Sequence, residues 1–437
     1  MKLSQHNIFG PIAGTDEFYL VNLLSGSADV LSNEKAREVI ERRYSDIGEY
    51  VAKGYLVDPA EEARRFRTRY ADFLDARERD EIQLFFVPWY TCNFACSYCY
   101  QESYANPPAL PSEELLDAFF SYVQGTFAGR RKYLTLFGGE PLLPGKTHRA
   151  VIERFLDGAQ ASGLETAVVT NGYTLAGYTE ALASRRIREV QVTLDGPAVL
   201  HDVRRPLKGG GGTFAPIVTG IDEALRAGLT VNLRVVVDRE NIDALPALAR
   251  FASEQGWTDH ARFKTQLGRN YELHTCQTGR EKLLSRLEIF QELYRLARRS
   301  PEILDFHKPA FSVASFLFEQ GELPEPLFDA CPGTKTEWAF DGFGKIYSCT
   351  ATVGKTAEAL GTYYPSVSLN QEAVTRWEER DVTTIPACTT CAVRLACGGG
   401  CASVAVNATG DLHAPDCRPV RELLGMGIDL YFNNTKS

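Results

Sequence analysis

The sequence predicts an α/β protein: a central sheet of parallel strands, with a small α+β module before it and a cysteine-rich region after it. Three observations carry this. From Ile82 onward, β-rich apolar runs alternate with stretches of helical periodicity. Residues 1 to 80 read instead as a hairpin followed by helices, and beyond about residue 300 the periodicity fails while Gly, Pro and Cys become frequent. Repeated strand-helix units give a parallel sheet, because parallel neighbours need a long crossover and a helix supplies it. Six such units close naturally as a partial (β/α)6, TIM-like barrel.

In the first module, Phe18 to Leu31 reads as a hairpin around Ser25-Gly26-Ser27, and the helical segments after it end in the charged run Glu61 to Asp80. The barrel is expected over residues 81 to 300. Its six strand candidates are Ile82 to Trp89, Lys132 to Phe137, Thr166 to Thr170, Glu189 to Leu194, Thr230 to Val237 and Ala261 to Leu267. Ser112 to Phe127, Phe214 to Ala227 and Asp243 to Gln255 are helical between them. Gly209 to Gly212 is a flexible loop rather than a phosphate cradle. Residues 301 to 437 have the composition of a small domain organised by metal rather than by a large core. In such barrels the chemistry sits at the carboxyl ends of the strands. Cys92 follows the first strand candidate, Gly138 the second and Asn171 the third.

The net charge of −9 comes with no basic stretch to track phosphates, which argues against nucleic acid and anionic membranes and for a peptide or small-molecule partner. The residues from Met1 to Gly10 do not form a secretory signal, and no segment stays apolar for about 18 residues, so a cytoplasmic location is expected. Thiols stay reduced there, which makes eleven cysteines metal ligands before disulfides. The seven histidines, scattered from His6 to His413, form no ligand pair. Sulfur must then be the main donor, which leaves zinc or iron-sulfur.

Cys92-Asn-Phe-Ala-Cys96-Ser-Tyr-Cys99 sets three thiols on one loop after a strand. Three thiolates leave one iron of a four-iron cluster without a protein ligand, open to the amino and carboxylate groups of a small molecule. The spacing, the aromatic Tyr98 and the position after the first strand resemble the signature of the radical S-adenosylmethionine (SAM) superfamily. The resemblance implies that Cys92, Cys96 and Cys99 hold a [4Fe-4S] cluster that cleaves SAM to a 5'-deoxyadenosyl radical. It also implies that Gly138-Gly139-Glu140-Pro141 receives the methionine amine, and that Asn171 in Thr170-Asn171-Gly172, with Thr193 and Asp195 in Thr193-Leu194-Asp195-Gly196, borders the cofactor. Thr193 stands where the family usually has Ser, and Arg204 or Arg205, the latter favoured, would pair with the carboxylate. A solvated surface arginine is the alternative for that residue.

The cysteines beyond residue 330 are Cys331, Cys349, Cys388, Cys391, Cys397, Cys401 and Cys417, with a central C-x2-C-x5-C-x3-C run. This resembles the SPASM extension of radical SAM enzymes, so the likeness covers roughly residues 82 to 420. It implies two auxiliary [4Fe-4S] clusters, three in all. The outer one would take Cys388, Cys391, Cys397 and Cys417; the inner one Cys331, Cys349 and Cys401, with its fourth ligand open between Cys276, a group such as Asp329, and substrate. Structural zinc remains the alternative for these thiols.

SPASM enzymes mostly modify peptides, so the resemblance implies a leader-containing precursor peptide as substrate and a thioether, C-C or C-N crosslink as product. A flavodoxin or ferredoxin would be the electron donor. Residues 1 to 80 loosely resemble a winged-helix leader-recognition element, which captures a peptide as an added strand. Sulfatase maturation is disfavoured by Thr350, which follows Cys349 where sulfatase-modifying members have aspartate. Oxidation of a small metabolite and a non-catalytic metal scaffold complete the alternatives.

Overall fold

The computed structural model describes residues 1–101, 104, 109–269 and 280–433. All six expected barrel strands form, as Ile82–Val87, Lys132–Leu136, Thr166–Thr170, Ile187–Thr193, Val231–Val237 and Phe263–Arg269. Each lies parallel to the next. The alternation explains why. In Val231–Val237 the odd-numbered residues are buried, and the even-numbered ones are half-buried on the opposite face. A strand with helices on one side and a lumen on the other needs that period of two.

The expected helices appear as Glu113–Thr126, Phe214–Arg226 and Leu245–Glu254, and Lys146–Ala161 and Leu175–Ala183 fill the remaining crossovers. Ser112 opens the first by accepting a hydrogen bond from the Leu115 amide, which satisfies one of the orphan donors at the helix start. Their apolar faces meet the sheet in one core, where Phe86 packs against Phe119 and Phe155 with ring centroids 4.7 and 4.8 Å away.

The strands of the cysteine-rich region continue the barrel sheet. Glu337–Asp341 pairs in parallel with the first barrel strand, Glu337 opposite Gln83, and Lys345–Tyr347, Gly361–Thr362 and Ser368–Leu369 continue antiparallel beyond it. One ten-stranded sheet therefore spans both regions. A five-residue strand that pairs across some 250 residues of chain leaves no local periodic signal.

The N-terminal hairpin forms as Phe18–Asn22 and Ser27–Leu31, but Asn7–Pro11 adds a third strand, and the charged run lies in the helix Pro59–Arg79. This module is not freestanding. Ile8, Tyr19 and Val21 share a core with Leu423, Leu424 and Ile428 of the last helix and with Leu395 near the cysteine run. Phe66, Tyr70 and Phe73 surround the fully buried Phe328, with centroids 5.1, 5.2 and 5.5 Å away. Among the described residues no helix is long and apolar enough to cross a membrane.

Candidate active site at the strand ends

The three-thiol loop is pinned from three directions. Its backbone runs against residues 204 to 208, with the Ala95 amide donating to Pro206 (2.9 Å), the Ser97 amide to Arg204 (3.1 Å) and the Lys208 amide to Asn93 (2.8 Å). Its entry is held by the second strand end, where the Glu140 amide donates to the Thr91 carbonyl at 2.9 Å. Gly139 must be glycine for this approach, since a Cβ there would stand 2.2 Å from the Thr91 oxygen, and Gly138 beside it adopts φ +123°. From the third strand end, Asn171 Nδ2 donates to Asn93 Oδ1 at 2.8 Å and lies 3.8 Å from Cys92 Sγ.

Cys92 and Cys96 are half-buried and Cys99 is exposed. Burial, reinforced by the Glu140 carboxylate and then by the other two thiols, pushes the Cys92 thiol up to about 12. Cys96 is raised by burial and pulled back by the Arg205 guanidinium. Three thiols within electrostatic reach of one another, two of them held toward the protonated form by burial, suit a cationic cluster whose binding would release protons.

Glu140 is fully buried, and its carboxylate is largely engaged by the protein. It accepts from Thr170 Oγ1 (2.7 Å), the Leu142 amide (2.8 Å) and the Asn171 amide (2.6 Å). Glu140 ties the second strand end to the third and keeps Asn171 aimed at the loop. Asp195 is likewise turned inward. It accepts from Tyr98 Oη at 2.6 Å, from the Val236 amide at 3.0 Å and from Arg204 Nε at 3.4 Å. Thr193 ends the fourth strand, buried, with Arg234 of the fifth strand beside it in register.

The two arginines separate cleanly. Arg204 is buried in a fork of carboxylates, donating to both Asp238 oxygens at 2.8 and 2.9 Å and to Glu240 at 3.1 Å. Arg205 is also buried, so the surface-arginine alternative is corrected. Its Nη1 donates to Tyr98 Oη at 2.5 Å, its guanidinium carbon lies over the Phe94 and Tyr98 rings, and its Nε is buried with no hydrogen-bond partner among the described residues. An unsatisfied buried guanidinium donor beside the thiols is what an incoming carboxylate would satisfy.

Sequence reasoning missed Asn93, His201, Asp238 and Asn241. Asp238 directly follows the fifth strand, so the strand-end rule that found Cys92 would have found it too. Asn241 Nδ2 donates to the Asp195 and Val236 carbonyls at 2.8 and 2.9 Å, and His201 Nδ1 accepts from the Asp195 amide at 3.1 Å.

The later cysteines gather in two sets. Cys388, Cys391, Cys397 and Cys417 act electrostatically on one another, and Cys388 is pushed up to about 11 by burial and then by those thiols. Cys349 is pushed up to about 12 by burial, the Glu337 carboxylate and Cys331 in that order, and the Cys331 sulfur accepts from the Ala402 amide, next to Cys401. Both sets fit sulfur-ligated clusters. Among the described residues no three or more Cys, His, Asp or Glu side chains close to the spacing of a single metal ion. Asp329, a candidate for the open position, accepts from Lys335 Nζ and from the Cys331 amide, one at each oxygen. Cys276 lies outside the described residues.

The sequence model of the radical SAM superfamily matches residues 86–252, which span the first to fifth barrel strands. A GTP 3',8-cyclase of Rhizobium leguminosarum bv. trifolii is 31% identical over 170 residues, 38% of this chain and 46% of that protein. The chain thus spans about half the length of the curated relatives it matches. Among solved structures, native anSMEcpe with bound AdoMet superposes with TM-score 0.63 at 16% identity, over 81% of this chain and 98% of that one. Streptococcus suis SuiB bound to precursor peptide SuiA superposes with TM-score 0.56 at 15% identity, over 95% and 98%. At such identities the structures speak for the fold, and the superfamily match speaks for the domain. With its three-thiol loop at the head of that matched barrel, the chain carries a radical SAM domain at residues 86–252.

Proposed function

We propose that this chain is a cytoplasmic radical SAM/SPASM enzyme that modifies a peptide, forming a thioether, C-C or C-N crosslink. The observation that carries the reading is the loop of Cys92, Cys96 and Cys99: three mutually interacting thiols pinned to the strand ends, beside a buried arginine with a donor to spare. These cysteines would hold the SAM-cleaving [4Fe-4S] cluster. Cys388, Cys391, Cys397 and Cys417 would hold an outer auxiliary cluster, and Cys331, Cys349 and Cys401 an inner one.

When bound, the first cluster and SAM supply a 5'-deoxyadenosyl radical that takes a hydrogen atom from substrate, with a flavodoxin or ferredoxin as electron source. The chain's own residues bind and orient. Arg205 would turn its spare Nε toward the SAM carboxylate, while Tyr98, clamped between Asp195 and Arg205, fixes the direction of that guanidinium. Gly138 and Gly139 would let the methionine amine approach the backbone, and Asn171 and Thr193 would border the cofactor. Glu140 and Asp195 would act through these neighbours.

Two features support a peptide substrate. SuiB, similar in fold over nearly all of this chain, was solved with a precursor peptide. In addition, the N-terminal sheet ends in an edge strand, Ser27–Leu31, whose outer side can pair with a leader segment. Sulfatase maturation is the weaker reading, because Thr350 carries a hydroxyl where an aspartate would be needed. The test is co-expression with a short peptide encoded beside the enzyme, followed by mass spectrometry. Loss of two hydrogens from the peptide, absent with Cys96→Ala, is the predicted result; a peptide of unchanged mass across all neighbouring candidates contradicts crosslinking.

A further inference from the structure

We infer that Glu337 is the fourth protein ligand of the inner auxiliary cluster, completing the set begun by Cys331, Cys349 and Cys401; this rests on the cluster assignment proposed above. Glu337 opens the strand that joins the cysteine-rich region to the barrel. The hairpin register pairs Ala339 with Tyr347, Cys349 follows two residues after that strand ends, and Glu337 lies close enough to act electrostatically on its thiol. The Thr350 amide donates to Glu337 Oε1 at 3.0 Å and the Thr350 hydroxyl to the same oxygen at 3.4 Å, which fixes the carboxylate beside the thiol. Among the described residues Oε2 has no hydrogen-bond partner, so one oxygen remains for a metal.

The competing donors are otherwise employed. Asp329 is bound to Lys335 and the Cys331 amide. Ser403 Oγ stands 3.5 Å from Cys349 Sγ, within hydrogen-bond reach of that sulfur, and a hydroxyl would first have to lose its proton to serve as a ligand. A carboxyl group loses its proton far more readily than a hydroxyl and gives an oxygen donor that iron accepts.

The test uses the full chain with Cys92, Cys96 and Cys99 replaced by Ala, reconstituted anaerobically, so that only auxiliary clusters remain. It should hold about eight iron atoms per chain, two four-iron clusters. With Glu337 present, added imidazole should leave the electron paramagnetic resonance of the reduced protein unchanged. Glu337→Gln should either expose an iron, so that imidazole shifts the spectrum, or lose about four iron atoms. Glu337→Cys should restore full iron and indifference to imidazole. Identical spectra and equal imidazole response with Glu, Gln and Cys would overturn the assignment, as would iron loss in both variants. An iron content near four or zero in the starting protein would instead show, before any Glu337 comparison, that the inner cluster itself is absent, and both readings would fall together.

Discussion

Arg204 Nη1 and Nη2 lie against both oxygens of Asp238, and truncating that side chain would leave Asp238 and Asp195 buried without the guanidinium that pairs with both. Arg204→Ala should therefore cost roughly 3–5 kcal/mol of stability, read as a fall in the urea midpoint. Arg205→Gln breaks a bond to Tyr98 but strands no acid, so it should destabilise far less. Its effect should fall on 5'-deoxyadenosine release, lowered roughly 10- to 100-fold for the loss of a charge-assisted bond worth about 1.5–3 kcal/mol. A collapse of stability in Arg205→Gln with release intact would reverse the two roles. Nothing in the pair of adjacent arginines distinguishes them in the sequence, because the difference is made by Asp238 and Glu240, more than thirty residues on. The cysteines were legible for the opposite reason: their spacing is local, and so is the loop that groups them.

Burial also sets the pH response at this scale. His201 and His307 are both lowered to about 4, chiefly by desolvation, so in the folded chain they stay neutral where an unfolded histidine would take a proton. Their contribution is complete above the unfolded value of about 6.5 and is lost as pH falls toward 4, at up to about 2 kcal/mol each by pH 5. His307→Asn, remote from the cysteine loop, should flatten the fall in urea midpoint between pH 7 and pH 5. An unchanged slope would show that His307 protonates equally in both states.

At the scale of elements, the barrel strands were legible because each is a β-rich apolar run with a helical stretch after it. Asn7–Pro11 and Glu337–Asp341 were not, since each is short and finds its partner through tertiary contact. The same contacts change how the N-terminal module should be probed. Deleting residues 1 to 80 would expose Phe328, which Phe66, Tyr70 and Phe73 enclose, so a loss of peptide binding after deletion would not isolate recognition. Phe328→Ala alone should cost about 3–5 kcal/mol, the usual penalty for emptying a buried aromatic site. If the module were only a loosely docked cap, that substitution would leave the unfolding midpoint within about 0.5 kcal/mol of the parent.

For the whole molecule, the continuous ten-stranded sheet is the feature that gives the cysteine sets a fixed relation to one another. The first barrel strand leads into the Cys92 loop, and its other neighbour, Glu337–Asp341, leads through a hairpin to Cys349. Tyr100, directly after Cys99, spans the two regions, its hydroxyl 3.4 Å from the Thr350 carbonyl. That arrangement agrees with the proposed function, in which substrate would lie between the radical source and an auxiliary cluster. The most direct measurement is anaerobic reconstitution followed by reduction with SAM present, with metal analysis and product detection on the same sample. The account predicts a brown, iron-loaded protein that releases 5'-deoxyadenosine, and a Cys96→Ala variant that keeps its auxiliary iron but releases none. A colourless protein with zinc on its thiols and SAM left intact would contradict it.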